Sequence, residues 1–336
     1  MRAMVLDTPA PAERRPLRLV DRPEPTPGPG EILVRVEVCG VCRTDLHLVE
    51  GDLPPLRSSI VLGHEAVGRI EAIGPGVRSF AVGDRVGVPW LHSTCGRCEY
   101  CRSGRENLCE AKTFTGYSVD GGYAEKMVAQ EGYVFPLPAD EEEPARLAPL
   151  LCAGIIGYRA LRAAMPHPGG RIGFFGFGGS AHLALQIASH LGFETVVYSG
   201  TPAHAALARE LGATEVVLGA ADPTPSVDGA VVFAPAGAVV LRALRAVRKG
   251  GRVSIAAVHM SPIPTIDYDR LLFGERSLVS VEANTRLDAE EFLTLARRFH
   301  LRPSVAVRPL AEANEALLDL REGRVRGAVV LDLRGA

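Results

Sequence analysis

Arg171-Ile-Gly-Phe-Phe175 runs straight into Gly176-Phe-Gly178-Gly-Ser-Ala181, and a helical pattern continues from Ala181 to Leu191. A strand that turns through G-x-G-x-x-A into a helix is the dinucleotide fingerprint. In that reading Gly176 makes the turn, Gly178 lets the backbone approach a pyrophosphate, and Ala181 allows close helix–strand packing. With Gly179 they form the candidate cofactor loop. Such a match is weak by itself. Here further strand patterns follow at 195–199, 215–217, 229–232, 252–255 and 277–281, with helical stretches between them. Six strands alternating with helices specify an α/β fold built on a doubly wound parallel sheet.

Upstream the pattern differs. A Pro/Gly-rich connector at 23–30 leads to the alternating strand 31–38, and short strand-like runs at 67–73 and 84–88 make this region mostly β and barrel-like. The strand delivers the chain to Cys39-Gly-Val-Cys42-Arg43-Thr44-Asp45-Leu46-His47, and Gly63-His64-Glu65 follows shortly after. Thiolate and neutral imidazole are zinc ligands, and a reactive zinc takes three protein ligands and keeps one position open. Cys42 and His64 are candidates for two of them. Cys152, inside an apolar helix pattern at 147–164, becomes a third only if that helix crosses behind the first domain. Cys95, Cys98, Cys101 and Cys109 form a C-x2-C-x2-C-x7-C array, which can close around one zinc and leave no open position. Such a lobe folds by binding metal rather than by burying a core.

At 336 residues the chain is longer than one hydrophobic core usually serves, so two domains are expected. A net charge of −2 with no basic run argues against nucleic acid and leaves a small-molecule partner. There is no signal-peptide pattern and no apolar run of bilayer length, so a soluble cytoplasmic protein without a membrane partner is expected. Seven cysteines in that compartment favour metal binding over disulfides. From Asn284 on, helix patterns at 288–299 and 311–321 precede a strand at 327–333, and composition leaves open which domain this tail joins.

With its motifs in this order, the chain resembles the zinc-dependent medium-chain alcohol dehydrogenases over nearly its whole length. Val88-Pro-Trp90 and His259-Met-Ser-Pro-Ile263 point to a bacterial group among them. The resemblance implies a GroES-like catalytic domain over 1–153 with a structural zinc lobe at 90–112, a Rossmann domain over 154–283, and a return segment over 284–336. It implies two zinc ions per chain, one catalytic on Cys42, His64 and Cys152, one structural on Cys95, Cys98, Cys101 and Cys109. Glu65 matches the carboxylate beside the catalytic zinc and Asp45 the partner that orients the ligand histidine. Arg43 and Arg286 match the cations on the coenzyme pyrophosphate, Thr44 and His47 the proton relay, and Trp90 a wall of the substrate pocket.

One position departs from the pattern. Where NAD-preferring members carry an acidic residue for the ribose, this chain has Ser199, and the next position, often arginine in NADP-preferring members, is Gly200. The expected coenzyme is NAD(P), with NAD favoured over NADP and His204 as the nearest cation. The implied reaction is reversible hydride transfer on a small or medium alcohol or aldehyde. Polyol or aryl and cinnamyl alcohols are the alternative substrates, and a non-enzymatic zinc and nucleotide-binding protein is the alternative from another class. The resemblance also implies a homo-oligomer, a tetramer or alternatively a dimer, paired through the last strand of the nucleotide sheet. Cys39, three residues before Cys42, is expected to be a buried free thiol.

Overall fold

The computed structural model describes every residue except 166, 168, 220, 221, 225 and 336, so the last residue of the expected return segment lies outside the described residues. Two compact units emerge: Met1–Cys152 with Ala283–Glu290 and Pro303–Ala336, and Ala153–Glu282 with Glu291–Arg302.

The first unit begins with β1 (Arg2–Leu6) and β2 (Leu17–Asp21), then β3 (Glu31–Val41), α1 (Arg43–Glu50), β4 (Ile60–Val61), β5 (Ala66–Ile73) and β6 (Arg85–Val88). The cysteine lobe holds β7 (Leu91–Ser93), α2 (Glu99–Arg102) and β8 (Thr113–Phe114), and β9 (Lys126–Gln130) and β10 (Phe135–Pro136) follow. β3 is the axis of this unit. Its Ile32, Val34 and Val36 enter a core shared with Ile70, Val86 and Met127, as period-two alternation requires. Glu37 accepts from Arg69 Nε at 3.2 Å and from Arg85 Nε at 3.0 Å, so one buried carboxylate joins β3, β5 and β6. The Arg85 guanidinium also donates to the carbonyls of Pro138, Ala139 and Glu141, fastening the acidic loop beside the sheet.

The apolar stretch at 147–164 is not one helix. Pro149 lies at the start of a 3-10 turn over Ala148–Leu151, Cys152 is non-helical at φ −129° and ψ −68°, and α3 (Ala153–Ala164) starts only after it. The break lies at Cys152 itself, after a single 3-10 turn, and gives Cys152 its own orientation. Across it, the segments 144–151 and 153–164 jointly match a membrane span in length and composition, bent by 41°, but no single helix among the described residues does.

The second unit continues with β11 (Arg171–Phe175), α4 (Gly179–His190), β12 (Glu194–Ser199), α5 (Pro202–Glu210), β13 (Glu215–Leu218), β14 (Val227–Val232), α6 (Gly237–Ala246), β15 (Val247–Ile255) and β16 (Ser277–Ser280). The described strands form one parallel sheet in the order β13-β12-β11-β14-β15-β16. This is the expected doubly wound sheet, with the fingerprint after β11 at the point where strand order reverses. α3 and α4 approach closely because a Cβ on Gly157 would lie 2.8 Å from the Ser180 carbonyl oxygen, and Ala181 is fully buried.

α7 (Arg286–Arg298) starts earlier than its apolar pattern suggested, because Thr285 and Asp288 cap it reciprocally: Asp288 accepts from Thr285 N at 2.9 Å and Thr285 Oγ1 from Asp288 N at 3.1 Å. β17 (Val305–Pro309), α8 (Ala313–Arg321) and β18 (Ala328–Asp332) then complete the first unit. Its main sheet runs β10-β6-β5-β3-β18-β17, with β9 also on β3, and β18 pairs Leu331 with Cys39 and Val330 with Gly40. Of the expected 284–336 segment, residues up to Glu290 and from Pro303 group with the first unit. Glu291–Arg302 belongs to the second unit, where Tyr158 Oη donates to Glu291 Oε2 at 3.1 Å, Phe292 is fully buried, and Arg302 N donates to Gln186 Oε1 at 2.9 Å. The first cut falls one residue earlier than expected, after Cys152.

Candidate functional site

Cys42 sits where β3 ends and α1 begins, and it caps that helix. Its Sγ accepts from Thr44 N at 3.3 Å while Asp45 Oδ2 accepts from Cys42 N at 2.9 Å. The other Asp45 oxygen accepts from Gly63 N at 3.3 Å and lies 3.3 Å from His64 Nδ1, leaving His64 Nε2 only 3.0 Å from Cys42 Sγ. Two glycines make the room. Gly63 has φ +95°, and a Cβ there would stand 2.3 Å from the Tyr123 ring and 2.8 Å from Cys39 Sγ; one on Gly40 would stand 1.9 Å from Glu65 Oε2. Ligand atoms of Cys42, His64, Glu65 and Cys152 all lie within 4.8 Å of one another.

Burial and mutual contact shift the protonation of this group. Burial pushes the Cys42 thiol up, but the hydrogen bond from Cys152 and the charge on His64 outweigh it and hold Cys42 well below its ordinary range. Burial alone would depress His64, yet the Cys42 thiolate and Asp45 raise it well above its usual value. The Cys152 thiol is driven well up by its hydrogen bond to Cys42 and by burial. Two thiols with an imidazole are a zinc donor set, and a divalent ion would favour the thiolate and neutral imidazole forms that bind it.

A second cluster joins Cys95, Cys98, Cys101 and Cys109, whose sulfurs are likewise mutually within 4.8 Å. The Cys98–Cys101 and Cys95–Cys101 sulfur separations are 3.5 and 3.9 Å, against about 3.8 Å for the edge of a tetrahedron with zinc–sulfur bonds of about 2.3 Å. All seven cysteines are free thiols. Amides of Arg97 and Cys98 directed at Cys95 bring its thiol down to about 6, preparing a thiolate. In the second unit, Gly176 has φ +89° and a Cβ there would stand 2.9 Å from Ala234 N, whereas Gly178 has open space in front of it at the mouth of α4.

These features have known counterparts. A family model described as "Alcohol dehydrogenase GroES-like domain" matches residues 28–139, and one described as "Zinc-binding dehydrogenase" matches residues 179–298. A curated relative from Mycobacterium tuberculosis, named "Probable alcohol dehydrogenase AdhA", is 45% identical over 98% of this chain and 97% of its own length. The chain belongs to the zinc-dependent medium-chain alcohol dehydrogenase family. Among solved structures, the alcohol dehydrogenase of the hyperthermophilic archaeon Aeropyrum pernix is 32% identical with a TM-score of 0.89, covering 99% of this chain and 100% of that one. Acetophenone reductase from Geotrichum candidum, solved in complex with NAD, is 30% identical with a TM-score of 0.87, covering 98% and 96%.

Within this alcohol dehydrogenase chain, the Trp90 ring meets the His64 ring edge-on, with centroids 4.7 Å apart. Phe114 and Tyr117 stack on Trp90 at 4.7 and 5.9 Å, two aromatic neighbours that sequence reasoning missed for want of any spacing that links them. His47, buried on α1, has Nδ1 2.7 Å from Asp52 Oδ2, a partner lying in plain view five residues downstream. Thr44 is buried and Arg43 exposed at the first turn of α1. Arg286 donates from its backbone N and its Nε to Glu106 Oε1 at 2.9 and 3.3 Å, and its guanidinium lies 5.1 Å from the Tyr133 ring centroid. Cys39 is fully buried. Ser199 is turned inward: it is 2% exposed, and its hydroxyl donates to Thr201 O at 3.2 Å and accepts from Thr201 N at 3.3 Å. That hydroxyl is spent on the turn into α5. No spacing in the sequence reveals such a commitment.

Proposed function

We propose that this chain is a zinc-dependent alcohol dehydrogenase that moves a hydride reversibly between a small or medium alcohol or aldehyde and NAD(P). The observation that carries the reading is the group of Cys42, His64, Cys152 and Glu65, whose ligand atoms converge within 4.8 Å as a zinc donor set. Held by Cys42, His64 and Cys152, zinc would polarise a substrate oxygen and lower the pKa of its hydroxyl. The nicotinamide would supply the hydride acceptor or donor.

The protein's own residues do the rest. Asp45 fixes the ring of His64, as a carboxylate behind a ligand imidazole does. The Thr44 hydroxyl takes the substrate proton, and His47, braced by Asp52, passes it outward. Trp90, backed by Phe114 and Tyr117, holds the carbon chain of the substrate. Arg43 and Arg286 meet the coenzyme phosphates, and Gly176, Gly178, Gly179 and Ala181 bring the start of α4 to the pyrophosphate. Cys95, Cys98, Cys101 and Cys109 hold a structural zinc. Three stacked aromatic rings next to His64 favour an aryl or cinnamyl alcohol as the second reading of the substrate.

The coenzyme is NAD with NADP also used, because position 199 offers no carboxylate and position 200 no cation, and the Ser199 hydroxyl is already engaged. The enzyme works in the cytoplasm, in keeping with seven unpaired thiols, and as a homo-oligomer, a tetramer or alternatively a dimer. Metal analysis should find two zinc ions per chain, and a panel of aliphatic, polyol and aryl alcohols assayed with both coenzymes should show turnover. One zinc or none in freshly purified active enzyme, or no turnover with any alcohol, overturns the reading; light scattering decides the oligomer.

A further inference from the structure

Glu106 has no role in the proposed chemistry, yet it is a carboxylate only 4% exposed. It opens a 3-10 turn, Glu106–Leu108, just ahead of Cys109 in the cysteine lobe, and Cys109 N donates to Glu106 O at 3.0 Å. Its Oε1 receives both the backbone N–H and the Nε–H of Arg286, the first residue of α7, 180 positions away in sequence. A carboxylate at this place satisfies a helix N-terminus and orients a guanidinium at the same time. The η nitrogens of Arg286 keep no hydrogen-bond partner among the described residues, and its side chain is 46% exposed.

A second path runs from the lobe to the same guanidinium. Cys101 Sγ lies 3.4 Å from Thr94 Oγ1, which lies 2.6 Å from Tyr133 Oη, and the Tyr133 ring packs beneath Arg286 at 5.1 Å. Two cysteines of the lobe are therefore each one short chain of contacts from Arg286, all within the first unit.

We infer that the cysteine lobe, through Glu106 and Tyr133, positions Arg286 and so sets the affinity of the enzyme for its diphosphate-bearing coenzyme. This rests on the reading of Arg286 as a coenzyme cation. Glu106 and Tyr133 are positioning residues: they hold a planar donor fork whose value to a phosphate depends on its orientation. The sign of the effect separates positioning from simple charge. Removing a carboxylate close to an anion-binding arginine should tighten binding of a negatively charged coenzyme if charge alone mattered, and weaken it if Glu106 aligns the fork.

The test measures NADH and NADPH dissociation constants by fluorescence titration of the zinc-loaded enzyme, together with Michaelis constants for coenzyme and alcohol. Glu106→Gln should raise the NADH dissociation constant about tenfold, the loss expected when one charge-assisted contact is misaligned. The Michaelis constant for the alcohol should stay unchanged. Tyr133→Phe, which keeps the ring and removes only the bond to Thr94, should weaken NADH binding in the same direction and serves if Glu106→Gln does not fold. In an Arg286→Ala background, Glu106→Gln should add nothing. Unchanged or tighter NADH binding in both Glu106→Gln and Tyr133→Phe, with Arg286→Ala clearly weaker, overturns the inference and leaves the coenzyme role of Arg286 standing. Unchanged binding in Arg286→Ala removes both together.

Discussion

At Gly40 a single hydrogen atom stands where a side chain would meet Glu65 Oε2 at 1.9 Å, and the same residue donates its N–H to the Glu65 carbonyl at 3.0 Å. Turning the carboxylate aside does not clear the site, since the Glu65 Cβ would also stand 2.9 Å away and Glu65, next to His64, is only 1% exposed. Gly40→Ala should therefore drop the zinc content from two ions per chain to one and cut turnover at least about a hundredfold, the scale of a site displaced by an ångström. Retention of both ions with normal turnover would show that Glu65 moves freely. Coenzyme choice is also decided residue by residue. A side chain at position 200 meets no atom within 4 Å and the backbone there is not left-handed, so Gly200→Arg should fold normally. The added guanidinium supplies the charge-assisted partner that a 2′-phosphate needs and should move the ratio of the two kcat/KM values towards NADP by about tenfold. An unmoved ratio would mean that the phosphate lies elsewhere.

Single elements here are held by means other than apolar burial. α2 has four residues and none of them is buried, so the lobe around it has almost no core to fall back on. Cys98→Ser should leave that cluster with three thiols, lower soluble yield and melting temperature, and reduce turnover per correctly loaded chain far less; an unchanged melting temperature and zinc content would refute a structural metal there. The strands β3, β5 and β6 present the opposite case, an ion group inside a packed sheet. Glu37→Ala would leave the guanidinium of Arg85, 7% exposed, without its carboxylate. Such a deletion costs about 3 kcal/mol, which chemical denaturation should register, whereas an unchanged midpoint would show that the carbonyls of Pro138, Ala139 and Glu141 suffice alone.

Over the whole molecule, what could be read from the chain was whatever has a short period or a fixed spacing. The parallel sheet followed from strand and helix periodicity and the four-cysteine cluster from spacing plus compartment, whereas the place of Cys152 beside Cys42 and His64 was implied only by the family resemblance. What could not be read depends on sequence-distant partners: the inward hydroxyl of Ser199, the aromatic backing of Trp90 by Phe114 and Tyr117, the grip of Glu106 on Arg286, and the transfer of 291–302 to the nucleotide unit through Phe292 and Gln186. The pairing of β18 with β3 is the longest of these links, since Leu331 sits opposite Cys39, roughly 290 positions apart. A ribosome lengthens a chain by about 5–20 residues per second, so about 15–60 s pass between the emergence of one strand and its neighbour. During that time the nascent sheet carries an open edge immediately before Cys42, while β11 to β16 come from one uninterrupted stretch and can assemble among themselves. The parallel sheet can thus pair its strands as they emerge, whereas the sheet that leads into Cys42 stays unsealed on one side, open to whatever chaperones the cell supplies, until β18 has been made.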